Sequence, residues 1–144
     1  MAIWQFSFYI VPNCKNCNKD EMFSWIGKQV KVDTNVFFKG LFDEKKSWCK
    51  DIKLFGNEES TCIEFFIEHG NIEEISCRLD LRTLSRNELE KILAYINSIN
   101  GKIFYENQIY DADIHEVTKL IKNSVAYKFC KEPRKFFEEL SLNK

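Results

Sequence analysis

Cys14-Lys15-Asn16-Cys17 is the one short motif in this chain with an established chemistry. Two thiols at this spacing, after a strand and before a helix, form the redox pair of thioredoxin-like proteins. That arrangement also needs a cis-proline facing the dithiol. Pro12 and Pro133 are the only prolines, and neither falls between a helix and a central strand. Zinc is the other chemistry open to the pair, and a structural site needs four thiolate or imidazole ligands in tetrahedral reach. There is no second C-x-x-C and no H-x-x-x-H, so Cys49 with His69 or His115 would complete a set only through tertiary proximity. A thiol-redox or zinc-binding role for Cys14 and Cys17 therefore stands as the alternative reading. The main one is two cysteines in a polar loop.

The remaining candidates are weaker. A Cys–His nucleophilic pair would use His69 or His115 as base, but His69 falls in a turn and His115 in the first turn of a helix. No G-x-S-x-G segment and no Gly-rich phosphate loop is present, the five glycines being scattered. The carboxylate pairs Glu58-Glu59 and Glu73-Glu74 read as solvated charge rather than acid–base machinery. The expectation is a protein with no catalytic residue, no metal ligand and no cofactor.

Charge distribution is more informative. Between Asn57 and Arg82 there are seven acids, namely Glu58, Glu59, Glu64, Glu68, Glu73, Glu74 and Asp80, against the two bases Arg78 and Arg82. That is a surplus of five negative charges in a chain whose net charge is −1, so the rest of the chain carries +4. The bland reading is a solubilising sheet face with cross-strand pairs such as Glu64 or Glu68 near Arg78. The functional reading is an electrostatic docking surface for a basic partner. Glu64, Phe66, Glu68, Glu74, Arg78 and Asp80 would form it, with Trp48 and Phe66 as aromatic anchors.

These residues must be positioned by elements, and the pattern is legible for most of them. Ile3 to Val11 reads as a strand ended by Pro12, with Trp4, Phe6 and Phe8 on one face and Gln5, Ser7 and Tyr9 on the other. Asp20 to Gln29 reads as a short helix carrying Met22, Phe23 and Ile26. Residues 30–60 are the hardest to assign, although Val36-Phe37-Phe38 has strand character and Asp43 to Lys53 is highly charged. Thr61 to Arg82 reads as a hairpin turning at His69-Gly70-Asn71. Its pairing sets Phe65 against Ile75, Cys62 against Arg78 and Glu68 against Ile72.

Ser85-Arg86-Asn87-Glu88 has capping-box spacing, and Leu89, Ile92, Leu93, Ile96 and Ile99 make the apolar stripe of the helix it opens. Asn100-Gly101 closes that helix. Lys102 to Tyr105 and Gln108 to Tyr110 pair around Glu106-Asn107. Asp111 or Asp113 caps a helix bearing Ile114, Val117, Leu120 and Ile121. Val125 to Cys130 is a short apolar piece leading to Pro133 at a first helical position, with Phe136, Phe137 and Leu140 beyond. The expected architecture is α+β, one domain over residues 1–144. An antiparallel sheet of about four to six strands would carry three or four helices mainly on one face.

Composition sets the outer bounds. At 144 residues, with 44% hydrophobic and 15% aromatic content, the chain can build a core without staples. Lys and Arg number 21 against 22 acids, which disfavours nucleic acid as a partner. The opening residues do not read as a secretory leader and no apolar run reaches membrane-spanning length, so the cytoplasm is the expected location. In that reducing setting the six cysteines read as free thiols.

Trp4-Gln5-Phe6, Lys46-Ser47-Trp48, Arg78-Leu79-Asp80-Leu81-Arg82, and Ala126-Tyr127-Lys128-Phe129 with Pro133 and Phe136-Phe137 occur together here. In combination the chain resembles small bacterial proteins of the polymorphic-toxin immunity type, and the resemblance spans most of its length. It implies an intracellular protein that blocks a toxin by tight protein–protein binding and performs no reaction. The implied partner is a basic toxin domain, and no catalytic residue carries over. A homo-oligomer is also compatible with the aromatic excess.

Overall fold

Alternation over most of Cys62 to Asp80 builds two strands joined by a tight turn. In the computed structural model, which describes residues 2–13, 22–26, 44–45 and 51–131, they are β4 (Cys62–Glu68) and β5 (Asn71–Asp80). Cys62 opposes Arg78 and Phe65 opposes Ile75, the register expected from the pattern. Near the turn the register differs. Glu68 opposes Asn71 rather than Ile72, and the connection tightens to His69-Gly70, with φ of 51° and 78°. Two successive positive φ values are the primed hairpin geometry whose twist matches the strands. The displaced residue is taken up as an irregularity beside Glu73. The cause is apolar spacing: Ile72 and Ile75 lie three apart yet both join the core, which strict alternation forbids and one extra residue permits.

The other strands extend this hairpin on both sides. They are β1 (Gln5–Pro12), β2 (Glu44–Lys45), β3 (Ile52–Gly56), β6 (Gly101–Tyr105) and β7 (Gln108–Tyr110). The order across the sheet is β2-β3-β4-β5-β1-β6-β7, and every pairing is antiparallel. Six strands have three residues or more, and Glu44–Lys45 is a two-residue extension at one edge. The first strand of the chain thus lies inside the sheet, between β5 and β6.

Three helices are present among the described residues: α1 (Arg86–Ser98), α2 (Ile114–Lys122) and α3 (Val125–Lys131). The Ser85 hydroxyl accepts from the Glu88 amide while the Glu88 carboxylate accepts from the Ser85 amide, so both halves of the capping box are made. Asn100, at φ 56°, ends α1 in the left-handed region. Asp113, not Asp111, caps α2, accepting from the His115 and Glu116 amides. Glu106 and Asn107 (φ 48° and 64°) turn β6 into β7.

The inner face of the sheet carries Phe6, Phe8, Ile10, Phe55, Ile63, Phe65, Ile75, Cys77, Leu79 and Ile103. Leu89, Ile92, Leu93 and Ile96 of α1 and Val117 and Ile121 of α2 complete the same cluster. The α+β class is as expected, with the apolar stripes of α1 and α2 closing one side of an antiparallel sheet. No helix among the described residues is long and apolar enough to cross a membrane.

Two local expectations are corrected. Residues 22–26 form turns rather than helix, and Trp25 is the buried residue there while Ile26 is exposed. The Trp25 indole donates to the Ile10 carbonyl. Trp4 precedes the strand, so alternation does not reach it. Its indole donates to the Glu59 carbonyl and its ring lies 4.0 Å from the Arg82 guanidinium carbon. The segments expected around Val36-Phe37-Phe38 and Pro133 lie outside the described residues.

Candidate functional site

The face of the sheet opposite the helices carries the other parity: Ser7 and Tyr9 from β1, Glu64 and Phe66 from β4, Glu74, Ser76 and Arg78 from β5, and Phe104 from β6. Together with Glu58 and the Glu106-Asn107 turn, they line a cleft of about 660 Å³. Small side chains at Ser7 and Ser76 form its floor, because they stand between larger neighbours on adjoining strands. Tyr9 and Phe104 are paired across β1 and β6, and Phe23 meets both edge-on, at 5.3 and 4.9 Å between ring centroids. That trio makes one wall, and Phe66, opposite Glu74 on β5, stands diagonally across from it beyond Ser76.

The charges of the cleft are unequal in kind. Glu64 is 5% exposed and forms an ion pair with Arg78, diagonal to it across β4 and β5. Arg78 also donates to the Glu58 carbonyl at 3.2 Å, so its charge is held in the floor. No described basic side chain pairs with Glu58, Glu74 or Glu106. Partial burial, and then the neighbouring Glu73, push the Glu74 carboxyl above its ordinary value, the mark of a carboxylate without a compensating cation.

One end of the cleft is shaped by the loop between β3 and β4. Gln5 Nε2 donates to the carbonyls of Glu58 and Ser60, at 2.9 and 2.6 Å, and Trp4 holds Glu59. Asp80 anchors the loop from below, accepting from the Ser60 hydroxyl and from Arg82 Nε, Nη2 and backbone N–H. Its own amide donates to the Thr61 hydroxyl at 2.9 Å. Burial acts to raise the Asp80 carboxyl, but the hydrogen bonds from Arg82 and Ser60 outweigh it and hold it below its ordinary value.

Of the residues singled out from sequence, Glu64, Phe66, Glu74 and Arg78 come together in the cleft. Asp80 is buried in the loop anchor, and Glu68 is exposed beside the hairpin turn, 3.8 Å from His69. Trp48, Cys14, Cys17 and Cys49 lie outside the described residues. The acidic face is thus less uniform than its composition suggests, since Glu64 and Asp80 are neutralised in place. Ser7, Tyr9, Ser76, Phe104 and Glu106 were not singled out. The parity of β1 already put Ser7 and Tyr9 on the outer face, but nothing local signalled that β1 and β6 lie beside β5.

The described cysteines Cys62, Cys77 and Cys130 are free, and burial pushes each thiol up, away from the thiolate form a nucleophile needs. Among the described residues, no three His, Cys, Asp or Glu side chains are grouped to hold a metal ion. What the cleft offers is a mixed acidic and aromatic surface, suited to gripping a cationic group. Compared with known protein families, with curated proteins and with solved structures, the chain matches none.

Proposed function

We propose that the protein is a non-enzymatic binding module whose outer sheet face engages a basic protein partner, as an immunity-type inhibitor engages its toxin. The observation that carries this reading is the cleft itself, whose charged lining is four carboxylates to one guanidinium, with aromatic rings beside them. Complementary charge raises association rates, and rings on a rigid sheet supply the anchors that dominate interface energies. The sequence resemblance favours the toxin-inhibitor form of the reading and, with it, a role in the cytoplasm.

The test asks first whether a neighbouring gene encodes a toxin domain, and then whether that domain forms a complex with this protein. Reversing Glu68, Glu73 and Glu74 to Lys leaves Glu64 with its Arg78 partner. On this reading the reversal weakens the complex by more than about tenfold, mostly through slower association at low salt. Unchanged affinity in the triple variant would remove this face as the docking surface. Absence of any complex would remove the toxin-inhibitor role.

A further inference from the structure

We infer that the slot above Ser76, between Phe66 and the Tyr9–Phe104 wall, receives an arginine side chain of the protein partner, its guanidinium stacked between the rings and paired with Glu74. This rests on the binding-module reading and names the group that the face recognises.

Spacing is the first argument. Phe66 is on β4 and Tyr9 on β1, with β5 between them and Phe66 offset two residues along, opposite Glu74, so their backbones stand diagonally about 12 Å apart. Ser76 occupies the middle strand between Tyr9 and Glu64; its side chain is small, and Glu64 is drawn diagonally to Arg78, away from Phe66, which leaves that diagonal gap unfilled. A planar group in van der Waals contact with a ring on each side needs roughly 7 Å. Guanidinium is planar, sheds water more readily than ammonium and stacks on aromatic faces, whereas a lysine ammonium is a compact hydrated charge.

Charge is the second argument. Glu74 lies two residues along β5 from Ser76, on the same face and opposite Phe66. The cations nearest it in the sheet are already engaged, Arg78 with Glu64 and Lys102 with Asp111. A carboxylate beside a slot of this shape can accept both N–H groups of an incoming guanidinium fork. Tyr9, 40% exposed in the free protein, is accessible to such a contact.

The experiment titrates the full chain with N-acetyl-arginine methylamide and follows amide NMR shifts, with the citrulline and lysine analogues in parallel. Citrulline keeps the shape of arginine and removes its charge. Saturable shifts centred on Tyr9, Phe66, Glu74 and Ser76 are expected, with citrulline about tenfold weaker or more and lysine between. Equal response to arginine and citrulline would overturn the inference. Shifts centred instead on the hairpin tip at Glu68 to Asn71 would overturn it too.

Glu74→Gln should lose about tenfold in arginine affinity while melting no lower than the parent, because its carboxylate is uncompensated in the free protein. Tyr9→Leu probes the same slot from the ring side, and undiminished arginine affinity in both variants refutes the assignment. The two readings fail separately. Arginine binding without a toxin complex leaves the slot standing, and an intact complex with no arginine response removes only the slot.

Discussion

Asp80 illustrates how a residue chosen for charge can serve architecture. Five hydrogen bonds converge on it, four accepted by its carboxylate and one donated by its amide. With 1% exposure it has no water to fall back on. Asp80→Ala should lower stability by roughly 2–3 kcal/mol, since it strands the Ser60 hydroxyl and frees Arg82 from its partner. The folded carboxyl titrates below its ordinary value of 3.8, so the stabilisation is complete above that pH and lost as the pH falls through the depressed folded value. Denaturation of parent and variant from pH 7 to pH 3 checks the sign: the gap stays constant down to about pH 5 and closes below 3.8. A gap that widened in acid would refute the assignment. In sequence, Asp80 is not told apart from the other acids around it: Arg82 lies only two residues on, but Ser60 and Thr61 become its neighbours only after β4 and β5 pair. Glu64 was half legible, since cross-strand spacing put Arg78 within reach, but nothing local indicated that the pair would be buried.

The best-defined local signals match the elements they mark, although the pattern over Asp20 to Gln29 does not, since residues 22–26 form turns. The capping box at Ser85 and Glu88, the Asn100 stop and the Glu106-Asn107 turn are each specified within four residues. The hairpin register was legible as far as Phe66 but not at its turn. There the need to bury both Ile72 and Ile75 outweighs the three-residue connection that strict alternation implies. Two glycines give this scale a sharp test. Gly56 ends β3 at φ 95°, and a β-carbon there would stand 2.2 Å from the Thr61 carbonyl oxygen. Gly70 in the hairpin turn is also at positive φ, but a β-carbon there meets nothing within 4 Å. Gly56→Ala should therefore cost about 2 kcal/mol or more, from strain and backbone collision together, and Gly70→Ala only about 1 kcal/mol from conformation. Urea unfolding of the two variants decides the point, and equal losses would contradict the collision at Gly56. Because Gly56 opposes Cys62 where the loop carrying Glu58 begins, its replacement should also disturb that end of the cleft.

At the scale of the molecule, the order β2-β3-β4-β5-β1-β6-β7 makes the first strand the keystone. β5 meets β4 on one side and β1 on the other, while β6 meets only β1 and β7. Without β1 the sheet would separate into a meander of β2 to β5 and the β6–β7 hairpin, and the cleft above Ser76 would lose its Tyr9 wall. The strand itself was legible in the alternation of Ile3 to Val11, but its place was not. Its partners lie some seventy to ninety residues away, and no local pattern encodes that distance. Pairing at such separation must overcome loop-closure entropy before it is rewarded, so the sheet should form in one concerted step. Ile10 tests this. It is fully buried, opposes Ile75 on one side and Ile103 on the other, and lies close under α1, where Ile10 and Ile96 flank Gly101. Ile10→Ala should lower stability by about 2–5 kcal/mol. If β1 joins the two halves cooperatively, the urea midpoints followed by far-UV circular dichroism and by tryptophan fluorescence should fall together, because Trp25 donates to the Ile10 carbonyl and reports the same unit. Midpoints that separate would mean that the β3–β5 meander survives without β1, and the keystone role would have to be abandoned.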